Sequence, residues 1–251
     1  MSVDEIVKLY EAQKHDKLTA KLKAVPLNSL VKLVKDALNS DEHDKCTNFL
    51  RALFQGWENA PDLSEVIVTV YKLCLKVLQQ ASAEDSFLID LISILNHEAV
   101  RLATADLVEL CSILLNMIHN AEVGEGKWLK LFTKLLEVVD LHTGVRYDKS
   151  EDPVTGAQYK HHVICEICSC TWPTDSVVHL ANAFKDIKLE AEDADIVVTK
   201  LLDQLGSLES QLLPPYVYQL LGLATKCGQV ETALRGILKH FMTLDEKFSD
   251  S

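Results

Sequence analysis

The residues best equipped for chemistry are His161-His162-x2-Cys165-x2-Cys168-x-Cys170, five residues of the two types that ligate zinc within ten positions. A structural zinc site pairs one such cluster with a second at a distance, often on a knuckle turn. Here Thr155-Gly156-Ala157-Gln158 fits a capping box, which starts a helix running to about Cys170. Cys165 and Cys168 then share a face with Ile164, with His161 one turn back. No second cysteine pair follows, so the expectation is a buried thiol face and no metal.

A second grouping is basic. Lys14, Lys17 and Lys21 recur on one helical face, near Lys23, Lys32 and Lys35. Such a patch could contact phosphate weakly. It carries no interleaved aromatics and no base-reading motif, and Leu18 and Leu22 lie opposite, so a solvated helix side is the plainer reading. The acidic runs Asp41-Glu42-His43-Asp44 and Glu190 to Asp195 lack the glycine and spacing of a calcium loop, and read as a loop and a helix start. Tyr216 and Tyr218 beside Pro214-Pro215 read as helix-start packing, with an exposed aromatic contact as the alternative. There is no Ser-His-Asp signature, P-loop or dinucleotide fingerprint. No catalytic residue, cofactor, metal ligand or small-molecule substrate is expected.

The elements carrying these residues are helices. The 251 residues are 48% hydrophobic and 25% charged, with few Gly and Pro, which suits long helices joined by short turns. Val3, Ile6, Val7 and Tyr10 mark a first helix; Leu18, Leu22 and Val25 a second, ended by Pro26. Leu27, Leu30, Val31, Val34 and Leu38 mark a third, and Cys46, Phe49, Leu50, Leu53 and Phe54 a fourth. Residues 1–58 therefore read as a small N-terminal helical cap, with a boundary bracketed by Gly56 and Pro61. From residue 62 to 251 the helices lengthen and several are apolar on two sides: Leu63 to Leu78, then Phe87 to Leu95 after a turn at Ser82 to Asp85. Leu107 to Ile118 and Trp128 to Val139 follow, then Leu189 to Leu205 and a helix opened by Pro214-Pro215 and ended by Gly228. Hairpins beginning near 62 and 104 approach a HEAT-like period without internal sequence similarity. The expected fold is an all-α, irregular α-solenoid of stacked antiparallel helix pairs, HEAT/armadillo-like; a closed helical bundle is the alternative.

Charge and cysteine usage narrow the function. Residues 1–60 hold nine basic and nine acidic side chains, so the remaining sixteen basic and twenty-eight acidic ones carry the whole net charge of −12. An acidic body repels phosphate and anionic lipid, which argues against nucleic-acid or membrane affinity for most of the chain. Met1 to Glu5 has no basic n-region or apolar h-region, and the longest uncharged run, Ser210 to Thr225, holds two prolines and is short of a span of about 18 residues. Seven cysteines, with Cys46, Cys74 and Cys111 at apolar helical positions, fit reduced thiols in the cytosol or nucleus.

The runs AFKDIKLEAEDADIVVTKLL, LPPYVYQLLGLATKCG and GILKHFMTLD resemble the N-terminal region of the Fanconi anaemia group I family. FLRALFQG and TGAQYKHHVICEICSCTW support the resemblance, which runs in order along essentially the whole chain. It implies a cap followed by a solenoid, in a non-enzymatic nuclear scaffold of DNA interstrand-crosslink repair. It also implies pairing with a paralogue, the second subunit of the ID complex, and a DNA clamp regulated by monoubiquitination of a lysine beyond this chain. Phe184, Lys185, Asp186, Pro214, Pro215, Tyr218 and Gln219 are motif positions expected to be structural. Ending at Ser251, the chain reads as a fragment, a truncated gene model or a domain. A HEAT-like adaptor for another protein, unrelated to repair, is the competing expectation.

Overall fold

The computed structural model describes residues 2–58, 64–79, 85–120, 122–124, 126–174 and 176–249. The expected boundary at Pro61, and residues 82–84 of the expected turn, lie outside the described residues. Those described form thirteen α-helices and two short 3₁₀ turns, with one isolated antiparallel bridge, Val145 to Val154, as the sole β pairing among them. No helix among them is long and apolar enough to cross a membrane. The chain divides into two compact units, residues 1–106 and 107–251.

The first unit contains α1 (Val3–Glu11), α2 (His15–Lys23), α3 (Leu27–Leu38), α4 (His43–Glu58), α5 (Ser64–Gln79) and α6 (Asp85–Glu98). Ser2 opens α1 with a capping box, its hydroxyl accepting from the Glu5 amide while the Glu5 carboxylate accepts from the Ser2 amide. α4 is the hub, with α1, α2, α3 and α6 packed against it. Its Phe49, Leu50, Leu53 and Phe54 meet a core that includes Ile6, Leu18, Leu22, Leu30 and Val34, all fully buried. Burying each such side chain contributes about 1.5–3 kcal/mol. Tyr71 of α5 sits edge-on to Phe54 and donates its hydroxyl to the Leu95 carbonyl of α6 at 2.7 Å, so the polar tip of a buried ring is satisfied.

α7 (Thr104–His119) straddles the junction in sequence. The second unit then runs through α8 (Leu129–Asp140), α9 (Gly156–Ser169), α10 (Val177–Asp186), α11 (Ala191–Gln204), α12 (Leu213–Lys226) and α13 (Val230–Ser249). Its packing order is the decisive feature. α8 packs on α10 and α10 on α12, while α9 packs on α11 and α11 on α13. Helix n therefore rests on helix n+2 in two rows, and α8 with α9, α11 with α12, and α12 with α13 join the rows. This is the stacking of an α-solenoid, in which helices bury one face along a row while pairs such as α8 with α9 and α12 with α13 bury another across it.

The helix boundaries have local causes. Thr155 caps α9 through its hydroxyl and the Gln158 side chain, a complete capping box, and Cys170 is the C-cap, as the sequence pattern predicts. Pro214 and Pro215 occupy the first turn of α12, where missing N–H groups cost nothing. Gly228 follows the Cys227 C-cap at φ +73, a left-handed conformation that suits glycine. α10 is an element that the apolar pattern did not separate from its surroundings.

The segment between α8 and α9 is folded back, not splayed. Val145 and Val154 exchange both backbone bonds at 2.8 Å, and the Gly156 amide donates to the His142 carbonyl at 2.8 Å. Tyr147 lies against the rings of Tyr159 and His162. A Cβ on Gly156 would meet the Val139 carbonyl oxygen at 1.9 Å, so the close approach of α8 to α9 requires glycine there. Gly156→Ala is expected to destabilise the protein by roughly 1–3 kcal/mol. Gly206→Ala, with nothing within 4 Å of the added carbon, should leave stability nearly unchanged. Chemical denaturation of the two variants checks this.

Candidate interaction surfaces and a Cys-His-Asp cluster

The basic side chains lie where a solvated face puts them. Lys14, Lys17 and Lys21 are exposed on and beside α2, while Leu18 and Leu22 are fully buried on its other side. Lys21 pairs loosely with Glu5 at 3.8 Å, both half-exposed. Lys21 and Lys32 share a groove of about 700 Å³ with Glu5 and Asp36, so the surface there carries both signs of charge. Each acidic run has partners. Lys45 bridges Glu42 at 2.8 Å and Asp4 at 2.7 Å, and the His43 ring stacks on Phe87 at 4.2 Å.

Three motif positions of the C-terminal half, Lys185, Tyr218 and Gln219, meet at the α10–α12 contact. Phe184 is buried and stacks on Trp172, 5.8 Å between ring centres. Lys185 donates to the Gln219 side-chain carbonyl at 2.7 Å and lies 5.4 Å over the Tyr218 ring. Lys226, at the end of α12, donates back to the carbonyls of Lys185 and Ile187. The last carbonyls of α10 are thereby satisfied by a cation at the negative end of its dipole. Asp186, Pro214 and Pro215 are exposed. The two tyrosines divide: Tyr216 is buried and donates its hydroxyl to the Leu201 carbonyl at 2.9 Å, whereas Tyr218 is 70% exposed.

The His/Cys segment lies on α9 as expected, but its thiols are half-buried, not buried. His161 is held from the next helix of its row. The Asp193 carboxylate of α11, almost fully buried, accepts from His161 Nδ1 at 2.6 Å. The other ring nitrogen, Nε2, faces Cys165 Sγ at 3.6 Å. Sequence reasoning missed Asp193 because it lies thirty-two residues away on another helix. No three His, Cys, Asp or Glu side chains among the described residues form a metal-binding set. One residue before His161, Lys160 is also buried, and its Nζ reaches Asp140 at 2.7 Å and the Lys188 carbonyl at 3.0 Å.

These packing contacts fall within a region that a family model, described as FANCI solenoid 1, matches over residues 64–251. The chain belongs to the Fanconi anaemia group I family. Within that family it is similar to the Fanconi anemia group I protein of Gallus gallus, 34% identical over 179 residues, which is 71% of this chain and 13% of that protein. It is likewise similar to the Fanconi anemia group I protein homolog of Mus musculus, 29% identical over 178 residues, with the same coverage. The chain thus spans 13% of the length of these curated relatives.

The ion pair between buried Lys160 and partly exposed Asp140 ties α9 to α8 in this family member. Asp140→Asn leaves an ammonium buried without its counter-charge and is expected to cost about 3–5 kcal/mol. Lys160→Met removes the buried charge itself and should cost distinctly less. Thermal melts of the two variants, compared at one pH, test the order.

Proposed function

We propose that this chain is a non-enzymatic scaffold module of a DNA interstrand-crosslink repair protein of the nucleus. It contributes helical surface to a heterodimer with the paralogous second subunit of the Fanconi anaemia ID complex. The observation that carries this reading is the use of the motif residues. Lys185 and Gln219 hold α10 on α12, and Phe184 packs on Trp172 beside them, with none of the three converging on a reaction centre. In this reading residues 1–58 act as the cap and residues 62–251 as the solenoid. Monoubiquitination acts on a lysine outside the chain, and no cofactor or small-molecule substrate enters.

DNA contact belongs to the assembled complex. The net charge of −12 opposes phosphate, and the exposed Lys14, Lys17 and Lys21 supply only a local, weak attraction. A second reading, a HEAT-like adaptor for an unrelated protein, is favoured by one observation: Leu234, Leu238, Phe241 and Met242 are exposed along α13.

Two experiments test the proposal. Tagged chain expressed in cells should recover the paralogous subunit, and recovery of other proteins without it would transfer support to the adaptor reading. Fluorescence anisotropy with duplex DNA should give a dissociation constant no tighter than roughly 1 μM at physiological salt. Lys14→Glu/Lys17→Glu/Lys21→Glu should weaken it further. Unchanged binding by the triple variant would remove these lysines from the phosphate contact.

A further inference from the structure

The contact between α9 and α11 holds three groups whose order matters. Asp193 is buried and accepts from His161 Nδ1, which assigns the ring proton to that nitrogen and leaves the Nε2 lone pair facing the Cys165 sulfur. A buried carboxylate explains its own need for a partner. Helical spacing brings His161 and Cys165 together, four residues apart on α9, and the Asp193 contact sets which ring nitrogen meets the sulfur. That thiol opens on a groove of about 500 Å³ whose lining includes Cys168, Lys200 and the carboxylates of Asp195 and Asp203 as well as Cys165. Carboxylate, imidazole and thiol in this sequence make a nucleophile, its base and the group that orients the base.

Going beyond the scaffold reading, we propose that Cys165 is a reactive modification site, a nucleophilic thiol that small electrophiles and hydrogen peroxide attack ahead of Cys46, Cys74, Cys111, Cys168 and Cys227. His161 serves as its base and Asp193 as the positioning residue. As Cys165 reacts, its proton passes to His161 Nε2 and the buried carboxylate balances the charge on the ring. With peroxide, the Cys165 sulfur attacks one oxygen and the O–O bond breaks. The departing hydroxide takes the proton from His161 as water, and the sulfur, oxidised by two electrons, becomes a sulfenic acid. Cys168, three residues on and lining the same groove, then attacks that sulfur. The S–O bond breaks, a second water leaves with the Cys168 proton, and a Cys165–Cys168 disulfide closes across the last turns of α9.

The surroundings distinguish the two thiols. Burial pushes Cys168 up to about 12, so it waits as a thiol. Burial and then the carboxylates of Asp193, Glu192 and Glu166 also raise Cys165. Its anion forms only in concert with proton transfer to His161, so reactivity depends on the base. Cys46, Cys74 and Cys111 are buried, and burial holds their thiols up. Half-buried Cys227, beside Lys226, is the matched control.

The test is peptide-resolved mass spectrometry of the folded protein after limiting iodoacetamide, and after peroxide with dimedone as the sulfenic-acid trap. Cys165 should label roughly tenfold or more faster than Cys227. Peroxide should yield the Cys165–Cys168 disulfide, and Cys168→Ser should yield the dimedone adduct on Cys165 instead. In His161→Gln/Asp193→Asn, which keeps amides hydrogen-bonded at the contact, Cys165 should fall to the Cys227 rate. Labelling of wild-type Cys165 no faster than Cys227 overturns the proposal. So does an unchanged Cys165 rate in the double variant at an unchanged melting temperature. If the double variant does not fold, the wild-type ranking alone decides.

Discussion

Every helix of the second unit between its ends has to bury two faces, and that requirement organises the rest. A helix with one apolar stripe can be satisfied by a single partner; one with apolar residues on two sides needs a neighbour in its row and another across from it. The α8–α10–α12 and α9–α11–α13 rows meet that need without any β layer. Because each contact is made with a near neighbour in sequence, stability is distributed along the stack and no single centre dominates it.

Polar groups at these contacts follow the same logic. Lys160 reaches from α9 to Asp140 of α8, His161 from α9 to Asp193 of α11, and Lys185 from α10 to Gln219 of α12. Each joins helices that are adjacent across or along the rows, and the first two satisfy groups, Lys160 and Asp193, that packing has removed from water. The family motifs are concentrated at these places. Their specificity reflects a particular fit between neighbouring helices.

Much of this architecture was legible in the chain because its signals are local. Thr155 and Gln158 announce the start of α9, Pro214-Pro215 the start of α12 and Gly228 its end. Ser2 and Glu5 form an equally readable capping box that the apolar pattern alone passes over. What was not legible depends on pairing between helices. Nothing near His161 points to Asp193, and nothing in Tyr-Val-Tyr says which ring turns inward. Two residues apart, Tyr216 and Tyr218 lie about 200° apart around a helix, so one is buried and the other exposed.

The claim that helix n rests on helix n+2 is open to one direct measurement: a methyl–methyl nuclear Overhauser map of protein labelled at Ile, Leu and Val. Stacked rows predict cross-peaks linking α8 to α10, α10 to α12 and α9 to α11. Cross-peaks that instead join α8 to α13, closing the helices around a shared centre, would contradict it.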